Sequence, residues 1–232
     1  QKLRPYYWTI KGVYRPIKKL LNRIDYFVSQ FREEYDLLEK IGVFKKIEFI
    51  EGAVISLKNL TNLKDEAYWT GENILIGNSA TPTNNFAEIF KALAQFNLKE
   101  RRLIVPLSYG VDAYRKEVID LGRCYFGDNF QPIVDFLPLH EYLKKISSCG
   151  VVIMNHYRQQ AVGNIMNALF RGCNVYLNNT PVRQTYRKLG FKISGINENL
   201  HLSNIRALTP LSVKEREQNR NLAITHFSSE SL

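Results

Sequence analysis

The ten residues NHYRQQAVGN, Asn155 to Asn164, hold a guanidinium, an imidazole, a phenol and four side-chain amides. They follow the apolar run GVVIM and lead into a pattern with helical spacing. With a helix starting near Gln159, its first-turn N–H groups are donors without intrahelical acceptors and carry partial positive charge. Arg158 stands at that same end. Guanidinium and helix N-terminus together suit a diphosphate, which a planar fork of donors meets in bidentate fashion. Gln159, Gln160 and Asn164 supply further polar contacts, and Gly163 permits close approach of a ligand or a second backbone. The plain alternative is a surface helix with a solvated arginine, which does not call for so many polar groups in ten residues.

Two other stretches carry polar groups after apolar runs. GNSATPTNN, Gly77 to Asn85, places Asn78, Ser79, Thr81, Asn84 and Asn85 where a strand passes into a helix. Ser, Thr and Pro there read either as a well-made helix cap or as a phosphate or sugar site. The stretch is neither a Walker A loop nor a GxGxxG fingerprint. PLSYG, Pro106 to Gly110, reads as a turn, or as a loop from which Ser108 and Tyr109 reach a ligand beside Gly110. His156 invites a base or metal role, but His140, His201 and His226 are not at ligand spacing, so no metal site is expected. There is no DxD pair to hold Mg²⁺ on a nucleotide, so a bound diphosphate would be met by protein cations and helix dipoles.

The elements that must position these groups alternate. IDYFVS reads as a strand, QFREEYDLLEKIG as a helix and KKIEFIEG as a strand, after a short basic helix in YRPIKKLLNR. A second alternation begins at NILIGNS and continues through NNFAEIFKALAQFN (helix), RLIVPLSYG (strand), DAYRKEVIDLG (helix, stopped by Gly122) and CYFG (short strand). PIVDFLP is then extended, LHEYLKKISSCG helical, VVIMN a strand, RQQAVGNIMNALFRG a helix, CNVYLN a strand and PVRQTYRKLG a helix. The final SVKEREQNRNLAI reads as a mostly solvated helix. Such alternation implies parallel sheets covered by helices, an α/β fold. Ligands in such sheets bind beyond the carboxyl ends of strands, which selects the loops at Asn78–Asn85, Ser108–Gly110, Pro138–Leu139 and Asn155–Gly163.

Bulk composition narrows the partners. A chain of 232 residues that is 45% hydrophobic can bury a real core. Its net charge of +10 favours anionic partners. Residues 1–23 hold seven cations and no acid, interleaved with Tyr6, Tyr7, Trp8 and Tyr14. That start suits nucleic acid or a membrane surface equally, or is a solvated edge. Cys124, Cys149 and Cys173 read as buried reduced thiols. No apolar run approaches the length of a membrane span, and no signal peptide is apparent.

Taken in order, FLPLHEYLKKISSCGVVIMNHYRQQAVGNIMNALFRGCNVYLNN resembles the core of the donor domain of GT-B glycosyltransferases. GNSATPTNN, PLSYG, YFG and RQQAVGN look like the motifs of glycosyltransferase family 56, the family named for 4-alpha-L-fucosyltransferase and containing TDP-N-acetylfucosamine:lipid II N-acetylfucosaminyltransferase. The resemblance runs over residues 73–195, while 20–55 resemble only the generic end of a GT-B N-terminal domain. It implies a remnant of an acceptor-side Rossmann-like domain at 1–58, a linker at 59–72, a nucleotide-sugar-binding Rossmann-like domain at 73–210, and a C-terminal helix and tail at 211–232. The chain begins at Gln1 rather than Met, and the expectation is the C-terminal part of a longer enzyme whose catalytic base lies in residues outside it.

The resemblance also implies a function. A 4-acetamido-4,6-dideoxyhexose would pass from a TDP-sugar to a polyprenyl-diphosphate-linked saccharide, in surface polysaccharide synthesis at the cytoplasmic face of a bacterial inner membrane. No cofactor, metal or nucleic acid is expected. Arg158, Gln159, Gln160, Gly163, Asn164, Asn78, Ser79 and Thr81 would bind the diphosphate. Asn84, Asn85, Ser108, Tyr109, Gly110, Pro138, Leu139, Asn155, His156 and Asn167 would bind nucleoside and sugar. Arg4, Trp8, Lys11, Arg15, Lys18 and Lys19 would face lipid or acceptor. Many retaining relatives carry Glu-x7-Glu, and those positions fall at Gln159 and Asn167 here; an amide at Asn167 is compatible with a deoxyribose. Stereochemistry stays open between inverting and retaining. The alternatives are a GT-B enzyme with another donor, an epimerase of that fold, or a basic α/β protein that binds nucleotide or nucleic acid and transfers no sugar.

Overall fold

The computed structural model describes residues 20–21, 23–44, 47–52, 56–61, 67–200 and 208–228. Arg4, Trp8, Lys11, Arg15, Lys18 and Lys19 therefore lie outside the described residues, as does most of the expected basic helix. The chain divides into two compact units between Val54 and Ile55.

In the first unit, strands β1 (Tyr26–Ser29) and β2 (Glu48–Glu51) pair in parallel, with helix α1 (Arg32–Lys40) between them in sequence. Tyr35, Phe44 and Ile47 form its core, with Phe27 and Phe49 packed on them. Buried Tyr35 satisfies its hydroxyl by donating to the Ile47 carbonyl at 2.6 Å.

The second unit carries the candidate site. Among the described residues it contains β3 (Asn73–Ile76), α2 (Phe86–Leu93), β4 (Leu103–Pro106), α3 (Asp112–Phe126), β5 (Phe130–Ile133) and α4 (Leu139–Ile146). Then follow β6 (Cys149–Met154), α5 (Val162–Phe170), β7 (Asn174–Leu177), α6 (Pro181–Lys188), β8 (Ser194–Gly195), α7 (Ile196–Asn199) and α8 (Val213–Phe227). The strands form a parallel sheet in the order β5-β4-β3-β6-β7-β8. Every residue of β6 is buried, as expected of a central parallel strand covered on both faces. Edge strand β5 carries Pro132, whose missing N–H makes that edge a poor template for further pairing. The order reverses between β3 and β6, and crevices open at such a reversal.

Several expectations change. Residues 59–72, expected as a linker, are packed against their surroundings where they are described, as are the residues just before them. Leu57 is buried, Ser56 donates to the Phe227 carbonyl at 3.3 Å, Trp69 N–H bonds the Arg171 carbonyl at 2.9 Å, and the Arg220 guanidinium lies 3.7 Å from the Tyr68 ring centre. This strap closes over the C-terminal end of α5, whose last carbonyls need donors. Helix α8 is less solvated than its charges suggest, since it buries Asn219, Ala223 and Phe227. The Asn219 amide satisfies both backbone polar groups of Lys192, accepting at 2.8 Å and donating at 3.0 Å.

Helix α3 does not stop at Gly122. It runs on to Phe126, so the expected strand CYFG is helix up to its glycine, and Cys124 is exposed on it while Cys149 and Cys173 are buried. Gly122 serves packing instead: a Cβ added there would lie 2.3 Å from the Phe130 ring. Among the described residues no helix is long and apolar enough to cross a membrane.

Helix propensity alone would make Gly122→Ala a gain of about 1 kcal/mol. The Phe130 contact reverses the sign, and urea unfolding should show a loss of about 1–3 kcal/mol.

Candidate functional site

The loops at the reversal are polar and mostly buried. Gly77 ends β3 with φ 65°, which glycine alone adopts cheaply, and a Cβ there would lie 2.7 Å from both Asn84 and Phe86. The chain then turns through Asn78–Asn84, whose last three residues form a single 3-10 turn, and enters α2 from Asn85 at φ 50°.

Asn84, 1% exposed, holds this turn together. Its Nδ2 lies 2.9 Å from Ser79 O, 3.1 Å from Thr81 O and 3.0 Å from Thr81 Oγ1, while its Oδ1 accepts from Asn78 N–H at 3.1 Å. The Ser79 and Thr81 hydroxyls pair with each other at 2.5 Å. His156 Nε2, from the loop after β6, lies 2.8 Å from Asn84 Oδ1. Asn84 and His156 were expected to reach nucleoside or sugar; the structure instead buries both and gives them to each other.

Further amides stitch the same two loops. Asn85 Nδ2 donates to Asn155 O at 2.8 Å, and Asn155 Nδ2 returns to Asn85 O at 3.3 Å and to Glu88 Oε2 at 3.1 Å. Asn178, beyond β7, donates to Asn155 Oδ1. Half-buried Gln160 accepts from Thr83 Oγ1 at 2.6 Å and donates to Asn78 Oδ1 at 2.9 Å. Asn78 Nδ2 in turn donates to the Tyr109 hydroxyl at 2.8 Å, carrying the chain of bonds to the loop after β4. Gly110 brings that loop close: Ala80 N–H bonds Tyr109 O at 2.7 Å and Val111 N–H bonds Ala80 O at 2.9 Å. Gly110 has φ 124° and leaves no room for a Cβ against the Ala80 backbone.

The helix expected from Gln159 begins three residues later. Ala161 takes the left-handed conformation, φ 57°, and α5 starts at Val162. No side chain caps this terminus, so the amides of Val162, Gly163 and Asn164 point out of the helix without an intrahelical acceptor. Arg158 is exposed in the loop just before it, its Nη1 3.1 Å from Gln159 O, and Gln159 is half-buried.

Beside this terminus lies a cavity of about 260 Å³, small for a ligand pocket and sized for part of a ligand. Of the expected residues, Asn78, Ser108, Tyr109, Leu139 and Asn164 line it. Pro138 does not; it caps α4. Asn167 does not either: it is 4% exposed inside α5, with Oδ1 unpartnered, which leaves the expected ribose contact without support. Sequence reasoning missed Ile133, Asp135, Phe136, Leu137 and Tyr142, which with Pro106 complete the wall. Phe136 is 83% exposed at this cavity, unusual for a large apolar ring. An aromatic between an acid and a leucine, just past a strand end, was the available signal.

Electrostatics follow burial. His156 is pushed down to about 4 from 6.5, first by burial and then by the Arg158 charge, against a hydrogen bond to the Gln160 backbone. It is therefore neutral at pH 7. Burial also raises the Tyr142 phenol, which receives the Asn164 amide at 3.3 Å.

A parallel sheet that reverses order at its centre, with a cavity and an uncapped helix N-terminus at its carboxyl edge, has the architecture of a Rossmann-like domain. The solved structures it is similar to include GT-B glycosyltransferases. Sucrose-phosphate synthase from Thermosynechococcus elongatus matches with TM-score 0.66 at 15% identity, over 95% of this chain and 59% of that one. HepE from Anabaena, solved with UDP and glucose, matches with TM-score 0.68 at 12% identity, over 97% and 65%. A glycosyltransferase from Rickettsia africae matches with TM-score 0.66 at 15% identity, over 93% and 64%. This chain thus spans about three fifths of the length of these proteins. The family model described as 4-alpha-L-fucosyltransferase, glycosyl transferase group 56, matches residues 55–193. The chain belongs to that family.

Because His156 titrates lower in the folded chain than in the unfolded one, its contribution is complete above pH 6.5 and is lost as pH falls towards 4. Wild-type protein should therefore lose about 3 kcal/mol more than His156→Gln between pH 7 and pH 4. Parallel stability–pH curves for the two proteins would contradict a neutral buried imidazole.

Proposed function

We propose that this chain forms the donor-binding part of a glycosyltransferase. The enzyme transfers a 4-acetamido-4,6-dideoxyhexose from a TDP-sugar to a polyprenyl-diphosphate-linked saccharide. The observation that carries the donor reading is the pairing of an apolar cavity with an uncapped helix N-terminus at one end of the sheet. The cavity takes the base and the N-terminus takes the diphosphate. Membership of the fucosyltransferase-named family supports sugar transfer, and the UDP complex of the similar HepE supports a nucleotide donor.

In this reading the amides of Val162, Gly163 and Asn164 and the Arg158 guanidinium bind the diphosphate. As the glycosidic bond breaks, negative charge grows on the leaving diphosphate. Fixed N–H dipoles and a guanidinium stabilise that charge more than they stabilise the intact donor. Phe136 and Leu139 offer apolar surface to the base, with Asp135 and the Asn78 and Asn164 amides as polar partners at the same wall. The catalytic base is assigned to no residue of this chain. The basic, aromatic residues 1–23 would meet anionic lipid or the acceptor diphosphate at the cytoplasmic face of the inner membrane.

Calorimetric titration with TDP, UDP, GDP and NAD tests the donor reading, with tightest binding expected for TDP. Equal affinity for TDP and UDP would favour a broader donor class, and no nucleotide binding at all would sink it. Arg158→Ala should weaken TDP about tenfold, the worth of one charge-assisted contact, and leave thymidine unchanged. Phe136→Ala should weaken thymidine and TDP alike, by about tenfold for a lost stacking surface.

A further inference from the structure

The Asn84 amide can be oriented without ambiguity. Four acceptors surround Nδ2, namely the carbonyl and hydroxyl oxygens of Ser79 and Thr81. The other end receives a backbone N–H from Asn78, so it is the oxygen. The His156 ring nitrogen 2.8 Å from that oxygen must then carry a proton and donate.

We infer that Asn84 and His156 are a positioning pair for the donor diphosphate, acting through the Asn78–Asn84 turn and touching no ligand themselves. This rests on the donor reading given above. His156 is 5% exposed and Asn84 1%, so neither presents a face to the cavity. What they control is accessible. Asn84 sets the Asn78 amide nitrogen, and Asn78 Oδ1 receives Gln160 from the loop that leads into the α5 N-terminus. One imidazole donor from the β6 side thus fixes a turn on the β3 side, and that turn holds the loop that presents Arg158. Without the donor, Asn84 Oδ1 keeps only the Asn78 N–H, and the two loops lose a fully buried link. The pair should therefore govern mainly how well a diphosphate is held, since neither residue lines the base cavity and the turn reaches that cavity only through Asn78.

The test compares wild type, His156→Phe and His156→Gln of the full chain, titrated with TDP and with thymidine, alongside thermal unfolding. Phenylalanine keeps volume and loses the donor; glutamine restores an N–H donor. The expected result is a tenfold or greater loss of TDP affinity in His156→Phe, thymidine within twofold, and recovery of most of the loss in His156→Gln. Equal weakening of both ligands, or no weakening of either, overturns the assignment. If His156→Phe does not fold, His156→Ser, too short to reach Asn84, is read by the same ratio. Wild-type protein that binds no nucleoside diphosphate overturns the donor reading and this assignment together. Wild-type protein that binds TDP while the variants show no selective loss overturns this assignment alone.

Discussion

The carboxyl edge of the sheet is governed by the need to satisfy polar groups where two loops are buried together. β3 and β6 lie side by side, yet their neighbours on the sheet run outward in opposite directions. The chain leaving each strand must turn at once, and each turn strands backbone N–H and C=O groups away from water. A buried group left unpaired costs about 1–3 kcal/mol. Side-chain amides meet this need because each offers donors and an acceptor on one short arm. Asn84, Asn85 and Asn155 are spent in this way, Gln160 bonds side chains of the same turn, and two buried acceptors, Asn167 Oδ1 and Asn178 Oδ1, remain unpartnered among the described residues.

That arrangement separates two tasks. The imidazole in the polar network stays neutral, because burial keeps His156 unprotonated beside Arg158. A second positive charge there would repel the guanidinium. The uncapped N-terminus of α5 and Arg158 keep their positive character for a ligand, since no acidic side chain caps the helix. The cavity beside it is mostly apolar, with Phe136 exposed at its wall. An anion-binding terminus beside an apolar cavity fits an amphipathic ligand such as a nucleoside diphosphate.

Much of this was legible in the sequence, and the failures have physical causes. Alternating apolar runs gave the parallel α/β sheet, and the position of NHYRQQAVGN after an apolar strand placed it at the ligand edge. The strand-end rule also picked out Asn78, Ser108, Tyr109 and Leu139, which do meet at one cavity. Gly122 misled because its lack of a side chain serves the Phe130 ring and not a turn. The start of α5 was set three residues early because nothing in the composition of Gln159–Ala161 announces a left-handed alanine. Polar residues were read as ligand contacts when several, Asn84 and His156 above all, are consumed by the loops themselves. Phe136 was passed over because an exposed aromatic is recognisable only once its neighbours are in place.

The most direct measurement is a crystal structure of this chain with TDP bound. The expected result is a diphosphate within hydrogen-bond distance of the Val162–Asn164 amides and of Arg158, with the base in the cavity lined by Phe136 and Leu139, and the Asn84–His156 bond intact. A diphosphate bound away from the α5 N-terminus, or a ligand in direct contact with the His156 ring, would contradict the division between a neutral scaffold and a cationic ligand face.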